Sequence, residues 1–414
     1  MESRIEPRAV AWLPIENKPL RYLLTTIQPG VFFRSRLPIL RAMRDLGWEV
    51  HCALPEFQDW ITLQAEGIHV HGIRVHRGST NPFRERETLS DFQRVAREVQ
   101  PDLAHHFSSK AVIYGSLAGA KLQVSTMTGI GFSLSGSGGI AERLPTKVIA
   151  PALYRAAMKK NARVIFQNED DRDEFIERKL IQAEKTHVIE GSGIDMAEYH
   201  PRMRALQPGK IKFVILCRMI KPKGVIEFVE AARLLHARLP NQCEFVLAGP
   251  LDRQNPQAIS ESQLRQWEDE GVARWIGRVD SAIDAYRHAH VAVLPSFYRE
   301  GLPRSLVEAS AMGIPVITTE SFGCRNAVQN GVTGFSVPVG DIEELAQKME
   351  ILAGNAQLRD RMGAAGRRFV ESRFSVETVM NHTLELYERE LENSGVTTDL
   401  TTARRKRILQ TITP

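Results

Sequence analysis

Between Arg21 and Thr319 the chain alternates short apolar runs with amphipathic helical stretches, and it does so in two separate passages. Runs of this kind pair as parallel strands, because parallel neighbours need a long crossover between them and a helix supplies it. The first passage opens at Arg21-Tyr-Leu-Leu-Thr-Thr and continues with a helical stretch over residues 35–46. There Ile39, Leu40, Met43 and Leu46 share one face, and Arg34, Arg41 and Arg44 lie opposite. Gly47 ends that helix, and Glu49-Val-His-Cys-Ala-Leu reads as the next strand. Further strands are expected over 102–105, 124–127 and 163–167. After a linker rich in Pro and Gly (199–209) the pattern restarts, with strands expected over 212–216, 244–248, 272–276, 291–294 and 316–319.

The expected fold class is therefore α/β, with two Rossmann-like domains facing across a cleft and ligands at the carboxyl ends of the strands. At 414 residues the chain is too long for one compact core and suits two. Residues 20–200 form the expected N-terminal domain, and residues 208–375 the C-terminal one. A final helix, 376–393, carries Met380, Leu384, Tyr387 and Leu391 on one stripe and is assigned to the N-terminal domain. Residues 1–18 and 395–414 lack such a pattern and read as flexible ends, the latter with a basic cluster at Arg404-Arg405-Lys406-Arg407.

Charge and cysteine content narrow the function classes. A formal net charge of +5 is too small to argue for nucleic acid, and none is expected as a partner. Cys52, Cys217, Cys243 and Cys324 are widely spaced, which fits buried thiols in a cytoplasmic protein better than disulfides. The N-terminus lacks the apolar core of a secretory signal. The uncharged stretch from Leu122 is too rich in Gly, Ser and Thr to be a membrane span, and reads as a strand and a loop.

Two constellations can carry chemistry. In Leu294-Pro-Ser-Phe-Tyr-Arg-Glu300-Gly-Leu-Pro-Arg-Ser-Leu-Val-Glu308, a strand ends, a short loop holds Glu300, Gly301 and Leu302, and Pro303 opens a helix. The amides of Arg304 and Ser305 would face an anion at that helix start, and Glu308 could accept from a ribose. From spacing alone, a solvated loop residue and a helix-surface charge explain the two carboxylates as well. The second constellation, Cys217-Arg-Met-Ile-Lys-Pro-Lys-Gly224, follows a strand and precedes a helix. Arg218 and Lys223 suit a diphosphate clamp or an ordinary basic loop. Asp171-Arg-Asp173 has the form of a metal-binding DxD, but it sits in a helical run where residues two apart diverge. No metal and no cofactor are expected.

The stretch from Ile215 to Phe335 resembles the retaining family-4 glycosyltransferases of the GT-B fold. The likeness rests on Arg218 to Gly224, Ala248-Gly249-Pro250, Trp275-Ile-Gly277, Leu294-Pro-Ser296, the Glu300/Glu308 pair, Pro315 to Thr319, Gly323-Cys-Arg and Asn330 to Phe335. His105 to Lys110, Tyr114 to Ala118, Thr128 to Gly131 and Gly191 to Asp195 are similar to the branch that builds bacterial capsule, O-antigen and other lipid-linked glycans.

The resemblance implies roles. Arg218 and Lys223 would hold the donor diphosphate, Glu308 the ribose, and Glu300 the transferred sugar, with Glu300, Arg218 and Lys223 as the catalytic set. Gly30 would admit the phosphates, Gly277, Arg278 and Val279 would border the base, and Gly301, Leu302, Pro303, Arg304 and Ser305 would complete the donor site. His105, His106, Lys110, Thr128 and Gly129 are the acceptor-side candidates. Thr128 stands where many members carry a histidine. The implied reaction is metal-independent transfer of a hexose or N-acetylhexosamine from a UDP-sugar to a polyprenyl-diphosphate-linked saccharide. It would take place at the cytoplasmic face of the inner membrane, where basic faces at Arg34/Arg41/Arg44 and at Lys147, Arg155, Lys159 and Lys160 meet anionic lipid. A non-hydrolysing UDP-sugar epimerase and a catalytically silent nucleotide-sugar-binding partner are the alternatives.

Overall fold

The computed structural model describes residues 19–27, 35–56, 60–76, 81–129, 144–206, 208–253 and 255–396. Gly30, Arg34 and the basic C-terminal cluster lie outside them, as do residues 1–18 and 397–414 and most of the Gly/Ser-rich stretch after Gly129.

Two wholly parallel sheets carry the fold, as the double alternation requires. The first contains β1 (Arg21–Thr26), β2 (Glu49–Leu54), β3 (His69–Gly72), β4 (Leu103–Phe107), β5 (Gln123–Met127), β6 (Arg163–Phe166) and β7 (Thr186–Val188), in the order β3-β2-β1-β4-β5-β6-β7. The second contains β8 (Ile211–Leu216), β9 (Cys243–Ala248), β10 (Arg274–Gly277), β11 (Val291–Leu294), β12 (Val316–Thr319) and β13 (Gly334–Val337), in the order β10-β9-β8-β11-β12-β13. In both, the order reverses beside the first strand, at β1/β4 and at β8/β11, which opens a crevice at the carboxyl edge. The central strands β4 and β5 are buried along their whole length, as sheets covered on both faces demand. All four cysteines are free thiols.

Three strands were not expected from sequence: β3, β7 and β13. Each is short and stands at an outer edge of its sheet, where β3 (HVHG) and β7 (THV) have no fully buried residue and so no apolar run to betray them.

The two halves meet differently from the sequence expectation. The second core already includes Ile194 and Tyr199, ahead of the Pro/Gly linker. The chain crosses between domains near Ile194 and crosses back near Ser375, and the two crossings are stitched together. The Ile194 amide donates to the Phe374 carbonyl at 2.8 Å, and the Val376 amide to the Ile194 carbonyl at 3.0 Å. The linker's prolines mark a surface loop, while the change of core is decided by where Ile194 and Tyr199 pack.

After the return crossing the helix Val376–Asn393, capped by Ser375, lies on the N-terminal sheet. Its Val379, Met380, Leu384, Tyr387 and Leu391 join Tyr22, Leu24, Ile39, Met43 and Val124 in one core. The Tyr387 hydroxyl lies 2.9 Å from that of Tyr22 and bonds the His105 ring. Leu384 is fully buried in this core. Replacing it with alanine is expected to cost about 2–5 kcal/mol of stability, read from urea denaturation of the whole chain.

Candidate active site

The second domain brings its candidates together along one edge. The carboxyl ends of β8, β9, β10 and β11 lead into Arg218, Gly249, Arg278 and Pro295. The turn holding Lys223 is welded to the loop after β11: the Pro222 carbonyl accepts from Ser296 Oγ at 3.0 Å and from the Phe297 and Tyr298 amides at 3.0 and 3.1 Å. The contact is close enough to demand glycine. Gly224 has φ +77°, and a Cβ there would sit 2.1 Å from the Pro295 carbonyl oxygen.

This weld places Lys223 Nζ against the Glu300 carboxylate, an ion pair in which each side chain keeps 13% exposure. Burial disfavours the lysine charge, but Glu300 outweighs it and the pKa of Lys223 is raised. Ser296 Oγ lies 3.4 Å from the same carboxylate oxygen, and the ammonium stands over the Tyr298 ring. Arg218, half exposed, donates to Asp252 at 2.7 Å.

Pro303 is the N-cap of the helix Arg304–Ala311 rather than its first residue, which leaves the Arg304 and Ser305 amides as first-turn donors without an intrahelical acceptor. Glu308 is buried and accepts from Arg304 Nε at 2.7 Å. Burial raises its pKa, against the opposing pull of the Arg304 charge and the Tyr199 hydroxyl. Arg304 also donates to Ser192 Oγ at 3.0 Å and to the Gly193 carbonyl at 2.9 Å, so the Glu308 pair is anchored to the crossing segment. Gly277, at the end of β10, accepts from the Gly249 amide at 2.7 Å, and Arg278 beside it is exposed.

On the N-terminal side, Thr128 and Gly129 abut the Glu300 loop. A Cβ on Gly129 would lie 3.2 Å from the Gly301 nitrogen, and one on Gly301 would lie 2.9 Å from the Thr128 carbonyl carbon. Leu302 packs on Gly191. The other acceptor-side candidates do not touch the Glu300 loop and are bonded within their own domain. His106 is buried with Nδ1 at 2.8 Å from Thr25 Oγ1 and Nε2 at 3.0 Å from Gln123 Oε1, so both ring nitrogens are engaged in the core. His105 bonds Thr126 Oγ1 at 2.7 Å and the Tyr387 hydroxyl. Burial lowers the pKa of both and keeps them neutral. Lys110 is tied to Glu85 at 2.7 Å and to the His76 carbonyl at 2.9 Å. In all three the fold itself supplies polar partners, and His105 also lines a small cavity with Arg36 and Ser192.

Sequence reading missed Arg36. The residue is 7% exposed and its guanidinium stands 4.3 Å from the centre of the Phe107 ring. Nε and Nη2 have no hydrogen-bond partner among the described residues. Burial, with the Arg304 charge nearby, lowers its pKa to about 10. Nothing in the sequence separates Arg36 from Arg34, Arg41 and Arg44. Of those, Arg41 and Arg44 are paired with Glu66, Arg44 also with Asp45.

Two matches give the family. The family model described as Glycosyl transferases group 1 matches residues 210–355, and the Glycosyl transferase 4-like domain matches residues 35–191. The chain belongs to the family-4, GT-B glycosyltransferases. It is 25% identical over 376 residues to the N,N'-diacetylbacillosaminyl-diphospho-undecaprenol alpha-1,3-N-acetylgalactosaminyltransferase of Campylobacter jejuni, covering 87% of this chain and 96% of that one. It is 24% identical over 276 residues to the UDP-Gal:alpha-D-GlcNAc-diphosphoundecaprenol alpha-1,3-galactosyltransferase of Escherichia coli (63% of this chain, 68% of that one). Among solved structures, sucrose-phosphate synthase of Thermosynechococcus elongatus superposes with a TM-score of 0.74 at 18% identity, covering 90% of this chain and 100% of that one. Anabaena HepE in complex with UDP-glucose superposes with a TM-score of 0.68 at 19% identity, covering 89% and 100%. As a glycosyltransferase the chain is an enzyme, which removes the epimerase and the silent binding partner from consideration.

The DxD-like pair is split by the fold. Asp171 is buried in the first turn of the helix Glu169–Glu177, whereas Asp173 is on the outside, paired with Arg172. Burial pushes the Asp171 carboxyl up to about 7, opposed by a bond from Asn168 and by the Arg299 charge. The folded value lies above the unfolded one, so the native state holds the extra proton and loses stability as pH rises from about 4 towards about 7. Asp171→Asn is therefore expected to match the wild type in melting temperature at pH 4 and to exceed it at pH 8, read by thermal scans across that range.

Proposed function

We propose that this enzyme transfers a hexose or N-acetylhexosamine, with retention, from a UDP-sugar to a polyprenyl-diphosphate-linked saccharide during surface-glycan synthesis. The observation that carries the reading is the convergence of Arg218, Lys223, Glu300 and the Arg304/Glu308 pair on one crevice edge, with Thr128 and Gly129 against it from the other domain. The named acceptors of the Campylobacter and Escherichia relatives support the lipid-linked substrate, and the UDP-glucose complex of the Anabaena structure supports the donor.

Departure of the diphosphate develops negative charge. Arg218, Lys223 and the Arg304 and Ser305 amides are fixed where that charge would appear, and preorganised donors act most strongly on charge that grows in the transition state. On this reading Glu308 takes the ribose hydroxyls, Gly277, Arg278 and Val279 border the base, and Glu300 takes the transferred sugar near its anomeric carbon. Side-chain cations and helix amides meet the charge in this mechanism, with no metal taking part. Lys223→Ala is expected to lower kcat about one-hundredfold to one-thousandfold. The assay is UDP release across a panel of UDP-sugars with an undecaprenyl-diphosphate-linked acceptor, and wild-type turnover by the variant would remove Lys223 from the mechanism.

The acceptor's lipid places the enzyme at a membrane surface. Among the described residues no helix is long and apolar enough to cross one. The helix Leu144–Lys160 instead carries Arg155, Lys159 and Lys160 around a shallow depression of about 580 Å³ floored by Leu117, Ala152 and Ala156, with Ile149 exposed nearby. A basic rim on an apolar floor suits peripheral contact with anionic lipid at the cytoplasmic face. Vesicles containing phosphatidylglycerol are expected to co-sediment the enzyme more than neutral vesicles do. The difference should shrink in high salt and in the Lys159→Glu/Lys160→Glu variant.

A further inference from the structure

The loop that carries Glu300 is held from the opposite domain by one buried amide. Strand β6 ends at Phe166, and Asn168, fully buried, opens the helix Glu169–Glu177. Its Oδ1 accepts from the Asp171 amide at 2.7 Å, the ordinary bond of a capping asparagine. Its Nδ2 reaches across the domain boundary, donating to the Gly301 carbonyl at 2.6 Å and lying 3.2 Å from the Glu300 carbonyl. The partners fix the orientation of the amide, since a backbone N–H needs the oxygen and a backbone carbonyl needs the nitrogen.

The peptide that Asn168 grips has no room to relax. A Cβ on Gly301 would meet Gln167 Oε1 at 2.5 Å, and one on Gly323 would meet the Glu300 carbonyl oxygen at 2.2 Å from the other side. Gln167 is itself held, donating to the Gly191 carbonyl at 2.9 Å in the crossing segment. Ion pairs flank the contact: Arg299 with Glu174 at 3.0 Å, and Arg325 with Asp170. Asn168 and the first two turns of the helix Glu169–Glu177 thus clasp the segment on both sides of Glu300.

We propose that Asn168 is a positioning residue for glycosyl transfer, fixing the Glu300–Gly301 backbone against the N-terminal domain so that the Glu300 carboxylate faces the sugar only when the two domains are in register. The inference rests on the assignment of Glu300 to the transferred sugar. Asn168 touches no substrate; it acts through the backbone it holds.

The capping role predicts no ranking among asparagine, aspartate and serine, whereas the positioning role predicts one, which makes them separable. Asparagine, aspartate and serine cap helices about equally well. Aspartate, however, cannot donate to Gly301 and would set a carboxylate against two carbonyls and the Asp171 carboxyl, which Nδ2 also meets at 3.2 Å, while serine is too short to reach these partners. The experiment measures kcat, donor KM, UDP affinity by calorimetry and melting temperature for Asn168→Ser, Asn168→Asp and Glu300→Gln. The assay uses the UDP-sugar that supports turnover and an undecaprenyl-diphosphate-linked acceptor. The expected result is a kcat order of wild type, then Ser, then Asp, with the Asp variant down about ten- to one-hundredfold. UDP affinity should stay within about twofold, as it should for a residue outside the donor site. Equal kcat in all three position-168 forms, with Glu300→Gln inactive, overturns the role of Asn168 and leaves Glu300 in place. Full turnover by Glu300→Gln overturns the reading of Glu300 itself. A parallel fall in kcat, UDP affinity and melting temperature assigns Asn168 to folding alone and also overturns the proposal.

Discussion

A parallel sheet must be covered on both faces, and the N-terminal sheet of this chain does not complete its cover from its own stretch of sequence. The missing helix, Val376–Asn393, comes from the far end of the second domain. Much of the architecture follows from that. The chain has to cross between domains twice, the crossings at Ile194 and Ser375 bond to each other, and the two carboxyl edges are held facing one another. The Tyr22, Tyr387 and His105 contacts are the polar seam of this borrowed helix.

Family membership and the local geometry speak to different questions. The glycosyltransferase assignment rests on matches over both domains. The division of labour within the crevice rests on contacts that only the folded chain displays: Lys223 on Glu300, Arg304 on Glu308, and Asn168 on Gly301. The N-terminal domain contributes backbone surface at Thr128 and Gly129 more than titratable side chains, since His105, His106 and Lys110 are occupied within the fold.

The fold was legible where strands are buried on both sides. β1, β6, β8, β9 and β11 contain apolar runs, and the helix Val376–Asn393 announces itself by its stripe. The edge strands β3, β7 and β13 were not, because an edge asks less burial of its residues. The site was legible as two local constellations, one around Lys223 and one around Glu300. Their meeting was implied by the family resemblance alone, since 77 residues separate the partners and no local periodicity encodes a contact at that distance. Asn168 could be read as a helix start, but one half of an amide caps a helix whatever the other half does. Arg36 was hidden for a related reason: four arginines in eleven residues look alike until burial separates them.

The pairing of the crevice cations has a consequence for how the enzyme waits. Arg218, Lys223 and Arg304 already have carboxylate partners in Asp252, Glu300 and Glu308. On the proposed mechanism an arriving diphosphate does not meet bare cations; it trades places with acidic side chains that have kept its seat. On that mechanism the diphosphate competes with Glu300 for Lys223, so the event that delivers the sugar also frees the carboxylate. Such an exchange works as a safety catch, arming the carboxylate only when there is something to transfer.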